Sequence, residues 1–162
     1  MNASAAPQLP KPPRGWKAIP WRLPVWIYRL GLGGLLGRRF LLLNHIGRKT
    51  GKRRQNVLEV IRYDPQGPTF YVASGFGRRA HWFRNIVAHP EVEIQVGWRR
   101  YRAVAEVLAP DQAAEVLQAY AQQHPIAFRE LSRLLGIPTP QDREGFRRLT
   151  QAMPIVAFRV QP

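Results

Sequence analysis

From residue 40 onward, short runs of alternating or continuous apolar residues are divided by glycine and proline, a texture that predicts strands more readily than long helices. The first three predicted strands cover 40–46, 55–63 and 69–74. Asp64-Pro65-Gln66-Gly67 joins the second to the third as a hairpin, since proline presets the second turn position and glycine relaxes the last. Over 91–96, Val92, Ile94 and Val96 alternate with Glu91, Glu93 and Gln95, so one face packs and the other meets water. Gly97-Trp98 then turns that strand into a partner over 99–108, and an apolar run over 154–160 supplies a sixth strand.

Helical spacing appears between these runs. A short helix over 80–88 is stopped by His89-Pro90. Pro110-Asp111 opens a helix through residue 122, with Ala113, Val116, Leu117 and Tyr120 on one face, and helical pieces follow over 125–135 and 141–151. Ahead of the strands, Pro24 suits the first turn of a helix carrying Trp26, Ile27, Leu30 and Leu36 on one side, although Gly31, Gly33 and Gly34 weaken its later half. Residues 1–20 contain five prolines among small and basic residues and read as a flexible arm, leaving 21–162 as a single domain. Six strands with helical insertions and no βαβ rhythm predict a mainly β, mostly antiparallel, closed or split barrel.

Composition narrows the chemistry. The 162 residues include no cysteine, which removes disulfides, thiolate nucleophiles and iron–sulfur clusters and agrees with a reducing cytoplasm. No early segment has the make-up of a signal peptide, and no apolar run is long enough for a membrane span. The formal charge of +15 is unevenly placed: residues 1–58 hold 12 of the 25 Lys and Arg, whereas the first carboxylate is Glu59. An anion site is therefore expected in the first third of the chain.

Gly47-Arg48-Lys49-Thr50-Gly51-Lys52-Arg53-Arg54 is the strongest candidate, a glycine-bounded basic turn between two strands. Glycines let backbone N–H groups approach a phosphate, Thr50 adds a hydroxyl, and arginine supplies a two-pronged donor. It is not a Walker A loop, because three residues separate its glycines and Arg53 follows Lys52. A second candidate runs from Ala73 to Asn85, where the Ser74-Gly75 strand exit precedes a helix bearing Trp82 and Asn85. Exposed N–H donors there suit the carbonyl-rich edge of a flavin-type ring, with Trp82 as a flat surface and Asn85 as a polar anchor. The four histidines lack metal-ligand spacing, no carboxylate pair suggests acid/base work, and no serine lies in a nucleophile elbow. No side chain is assigned a catalytic role, and a reaction whose hard step is done by a bound coenzyme needs none of these groups.

Tyr28-Arg29-Leu30-Gly31, the 40–43 run, Gly47-Arg48-Lys49-Thr50-Gly51, Val72-Ala73-Ser74-Gly75, Trp82-Phe83-Arg84-Asn85, His89-Pro90-Glu91-Val92 and Pro154-Ile155-Val156-Ala157 together resemble the deazaflavin-dependent nitroreductase family. The resemblance implies a split β-barrel of the FMN-binding type and reduction of quinone-like, nitro or conjugated small-molecule acceptors by reduced coenzyme F420. Carried over by position, it implies that Arg48, Lys49, Gly51 and Arg54 hold the phosphate and acidic tail, with Asn56 close by. Ser74, Gly75, Trp82 and Asn85 would frame the ring. The acceptor is expected near the first helix, Phe76 and the helices around Tyr120 and Phe128. Val57 and Gly75-Phe76-Gly77-Arg78 depart from the family's usual sequence.

Three alternatives remain at this stage. FMN shares the phosphate of the deazaflavin but lacks its glutamate tail. A non-enzymatic nucleic-acid-binding barrel would also explain the charge, but the aromatic residues do not interleave with the basic turn. Peripheral membrane contact through the N-terminal helix, using Trp16, Trp21 and Trp26 beside arginines, is compatible with either coenzyme. Oligomeric state is left open.

Overall fold

The computed structural model describes Gln8, Leu9, Lys11 and residues 29–162. Six strands, β1 (Phe40–Ile46), β2 (Arg53–Asp64), β3 (Thr69–Ala73), β4 (Glu91–Val96), β5 (Arg99–Val107) and β6 (Ile155–Val160), close into a barrel in the order β1-β2-β3-β6-β5-β4. Every pairing is antiparallel, including the β1–β4 pair that completes the ring. Hairpin chemistry fixes the β4–β5 register, for Gly97 takes φ 57° at the first of two turn positions and Val96 pairs with Arg99.

Strand alternation divides the apolar residues between two cores. Leu41, Leu43, Phe70, Val72, Ile94 and Phe158 fill the barrel, and helix α1 (His81–Ala88) covers it with Trp82, Phe83 and Ile86. Outside, α2 (Pro110–Gln123), α3 (Pro125–Leu135) and α4 (Arg143–Ala152) bury Tyr71, Ile155 and Ala157 beneath Leu117, Phe128, Phe146 and Leu149. The first four residues of β6 are therefore buried on both faces, which accounts for an apolar run without alternation. Ordinary alternation makes the same division within β2, with Val60 packing in the barrel and Ile61 in the outer core, and a bulge follows between Val60 and Arg62.

The helix expected over 141–151 covers Arg143–Ala152, and two expectations nearer the β1–β2 turn also change. Strand β2 starts at Arg53, two residues before the predicted start, so Arg53 and Arg54 belong to the ladder. The helix expected up to Leu36 ends early: Arg29 is helical, Gly31 takes φ 75°, and a 3-10 turn covers Gly33–Leu36. Its apolar side is split as a result, with Leu30 exposed and Leu36 packed on Leu42 and Val57. Pro24, Trp26 and Ile27 of that helix, together with Trp16 and Trp21, lie outside the described residues. Within the proline-rich arm, Leu9 is buried in the outer core, close to Gly77.

Candidate functional site

The turn between β1 and β2, the first half of β2, the exit from β3 and the start of α1 enclose a cavity of about 1050 Å³. That volume suits a large organic ligand. Of the residues singled out from the sequence, Arg48, Lys49, Thr50, Arg54, Asn56, Gly75, Trp82 and Asn85 line it. Gly51 and Ser74 do not: Gly51 takes φ 64° within the turn, and Ser74 is fully buried, its hydroxyl donating to the Gly77 carbonyl at 2.7 Å.

The basic turn is held by its own peptide groups. The N–H of Gly47 donates to the Lys52 carbonyl at 2.8 Å, and those of Thr50 and Gly51 donate to the Gly47 carbonyl at 3.2 and 2.8 Å. The Arg48 N–H donates to Oδ1 of Asn85 at 3.1 Å. These bonds engage the peptide N–H groups of Gly47, Arg48, Thr50 and Gly51, donors that the glycine pattern had offered to a phosphate. Arg48, Lys49, Arg53 and Arg54 all reach the cavity wall, where Glu59 is the sole carboxylate among the described residues.

Asn85 also differs from a free anchor. It is buried, and its Oδ1 accepts from both the backbone and the guanidinium of Arg48, the latter at 3.0 Å. Its Nδ2 lies 3.1 Å from Nδ1 of His45, whose Nε2 lies 3.0 Å from Oδ1 of Asn56. His45 lines the cavity and was not singled out from the sequence. The available signal was its inward register after Leu41 and Leu43 on β1. Burial, and less strongly the charge of Arg54, push its pKa below the usual histidine value, while the Asn56 hydrogen bond acts in the other direction.

Leu58, Ile61, Ala73, Phe76 and Met153 add an apolar part of the wall beside Trp82. Trp82 is nearly buried and meets Phe83 edge-on at 6.0 Å, so it belongs to the barrel core as well as to the cavity. Phe76 lines the cavity, whereas Tyr120 and Phe128 are buried in the outer core, and α3 contributes Leu131 instead. No group of three metal-ligating side chains occurs among the described residues.

Comparison with known proteins agrees with this architecture. An F420H(2)-dependent quinone reductase of Mycobacterium tuberculosis (strain ATCC 25618 / H37Rv) is 34% identical over 98 residues, 55% of this chain and 63% of that relative. The chain thus matches a little under two thirds of that relative's length. A second protein of the same strain, whose name carries the same quinone-reductase designation, is 32% identical over 99 residues, 57% of this chain and 82% of its own. Among solved structures, an F420-H2 dependent reductase (FDR-A) shares the fold at TM-score 0.52 and 18% identity, covering 76% of this chain and 96% of its own. A protein of unknown function from Agrobacterium tumefaciens str. C58 does so at TM-score 0.55 and 14% identity, covering 97% and 60%. The family described as F420H(2)-dependent quinone reductase matches residues 21–132, and this chain belongs to it.

Proposed function

We propose that this protein reduces a quinone-like small molecule with hydride from reduced coenzyme F420. The observation that carries the reading is one cavity in which Arg48, Lys49, Arg53 and Arg54 stand beside the apolar side chains of Leu58, Phe76, Trp82 and Met153. A phosphate with a carboxylate tail fits the first half, and a flat ring with an apolar acceptor fits the second. When bound, the deazaflavin supplies the hydride, because a carbon replaces the reactive nitrogen of a flavin. The protein's own groups bind, orient and exclude water. Arg48, Lys49 and Arg54 hold the phosphate and tail, Thr50 and Asn56 add polar contacts, and Gly51 shapes the turn. Ser74 fixes the strand exit through Gly77, so that Gly75, Trp82 and the Asn85 region frame the ring.

Titration of the purified protein with oxidised F420 and with FMN, followed by mixing of the reduced F420 complex with a short-chain naphthoquinone, tests the reading. Tight F420 binding and rapid reoxidation by the quinone are expected. FMN binding without F420 binding would overturn the coenzyme assignment, and reoxidation by nitro compounds alone would overturn the acceptor.

Peripheral membrane contact is a second reading, favoured by one observation. Leu30, Leu32, Leu35 and Trp98 are exposed, and the Trp98 ring lies against Gly34, which places it beside the leucines of the 3-10 turn. Arg38, Arg39, Arg99 and Arg100 are exposed at neighbouring positions, giving the apolar-plus-basic character of a surface that meets anionic lipid. No helix among the described residues is long and apolar enough to cross a membrane. Sedimentation with phosphatidylglycerol vesicles, weakened in a Leu35→Ser/Trp98→Ser variant, is the expected result. Equal sedimentation of both proteins excludes this surface.

A further inference from the structure

We infer that His45, as the neutral Nε2–H tautomer, positions Arg48 in the cavity through Asn85, so that anion binding weakens when the imidazole gains a proton. The inference takes its ligand from the F420 reading above, but its geometry is independent of that reading.

The hydrogen bonds admit one consistent assignment. Arg48 offers only donors, and both its backbone N–H and its guanidinium approach the same Asn85 atom, at 3.1 and 3.0 Å. That atom is the amide oxygen, so the NH2 of Asn85 faces the opposite way, 3.1 Å from Nδ1 of His45. An NH2 group there requires Nδ1 to be an acceptor. The ring proton accordingly resides on Nε2, 3.0 Å from the Asn56 oxygen. The polar chain Asn56–His45–Asn85–Arg48 thus links the wall of the barrel to the first cation of the anion-binding turn.

Protonation breaks the chain at a definite point. With hydrogens on both nitrogens, His45 presents a donor to a donor, and Asn85 keeps that contact only by turning its oxygen inward. Its NH2 group then confronts the two Arg48 donors, and both of their bonds are lost. Charged neighbours do not offset this change. Arg54 stands opposite His45 in the β1–β2 ladder, and Arg48 lies beyond Asn85. On α1, His81 and Arg84 are exposed, and Glu93 of β4 pairs in register with Asn44 and accepts from its side chain at 3.4 Å. No carboxylate among the described residues forms a hydrogen bond with the imidazole.

The sign of the effect separates this arrangement from plain electrostatics. An extra positive charge beside an anion site strengthens binding as pH falls, whereas release of Arg48 weakens it. F420 affinity, read by its fluorescence, is compared between wild type and His45→Gln from about pH 8 down past the ordinary histidine range, because burial places the His45 transition on its acid side. The ratio of the two affinities removes titration of the ligand itself. It is expected to move about tenfold against the wild type at low pH, the scale of losing charge-assisted hydrogen bonds. In coenzyme-free protein, the amide resonance of Arg48 should shift in step with the His45 ring and stay flat in His45→Gln. Asn85→Asp, whose carboxylate accepts from Arg48 whether or not His45 is charged, should also uncouple Arg48 from the ring. An affinity ratio constant with pH, or an Arg48 amide indifferent to His45 protonation, would overturn the inference. A wild type that binds no F420 while its Arg48 amide follows His45 would contradict the coenzyme reading and support the positioning role.

Discussion

The hydroxyl of Tyr120 donates to Oε1 of Glu59 across 3.2 Å, tying helix α2 to the middle of β2, and the same carboxylate oxygen lies 3.6 Å from Nε of Arg39. Burial, followed by the Glu59 charge, pushes the phenol up from 10.0 to about 12. The folded protein therefore keeps a proton that the unfolded chain releases above pH 10. Stability should fall as pH rises from 10 toward 12, and the Tyr120→Phe variant should lack that component. At neutral pH the same substitution should cost about 1 kcal/mol, the net contribution of one hydrogen bond. Denaturant midpoints of both proteins at several alkaline pH values measure the difference.

Arg54 combines a place on the β2 ladder with a place in the cavity wall. Arg54→Ala should weaken F420 binding by roughly tenfold or more, the scale of a charge-assisted hydrogen bond. FMN, without the glutamate tail, should lose less. Fluorescence titrations at two ionic strengths check both points, since added salt should reduce the wild-type advantage.

Gly77 holds φ 65°, and a β-carbon there would come within 2.6 Å of the Ala152 carbonyl oxygen. Gly77→Ala should destabilise the protein by about 2 kcal/mol through backbone strain and displacement of α4. It should also disturb the Ser74 hydroxyl bond at the strand exit. Gly67→Ala, where nothing lies within 4 Å of the added carbon, should change stability by less than about 0.5 kcal/mol. Thermal unfolding of the pair isolates the conformational effect.

Phe158 has no exposed surface inside the barrel, whereas Ile126 is 74% exposed on α3. Phe158→Ala should cost about 3–5 kcal/mol by opening a cavity between β3, β5 and β6. Ile126→Ala should stay within about 0.5 kcal/mol. Chemical denaturation curves for the two variants test whether the barrel interior carries the stability.

Much of the fold was legible because hydrophobic period and turn chemistry agreed. Val92, Ile94 and Val96 alternate as a half-buried strand should, and β4 has the predicted limits. The helix ahead of β1 stops short of Leu36 although the apolar spacing continues past Gly31, because the backbone turns left-handed there. At the site, the glycine-bounded run of cations is plain in the sequence. The engagement of their peptide groups was hidden, because it depends on Asn85, 37 positions beyond Arg48, and on the return of Lys52 toward Gly47. His45 was missed for the same reason: its partners lie 11 and 40 positions away, and a lone histidine in an apolar strand reads as core.

Three amides of the turn, those of Gly47, Thr50 and Gly51, donate to carbonyls of the turn itself, so this part of the main chain is set without any ligand. Exchanging the Lys49 or Arg53 side chain, both on the cavity wall, leaves those three bonds in place, so the charge of the cavity should be open to change without refolding of the hairpin.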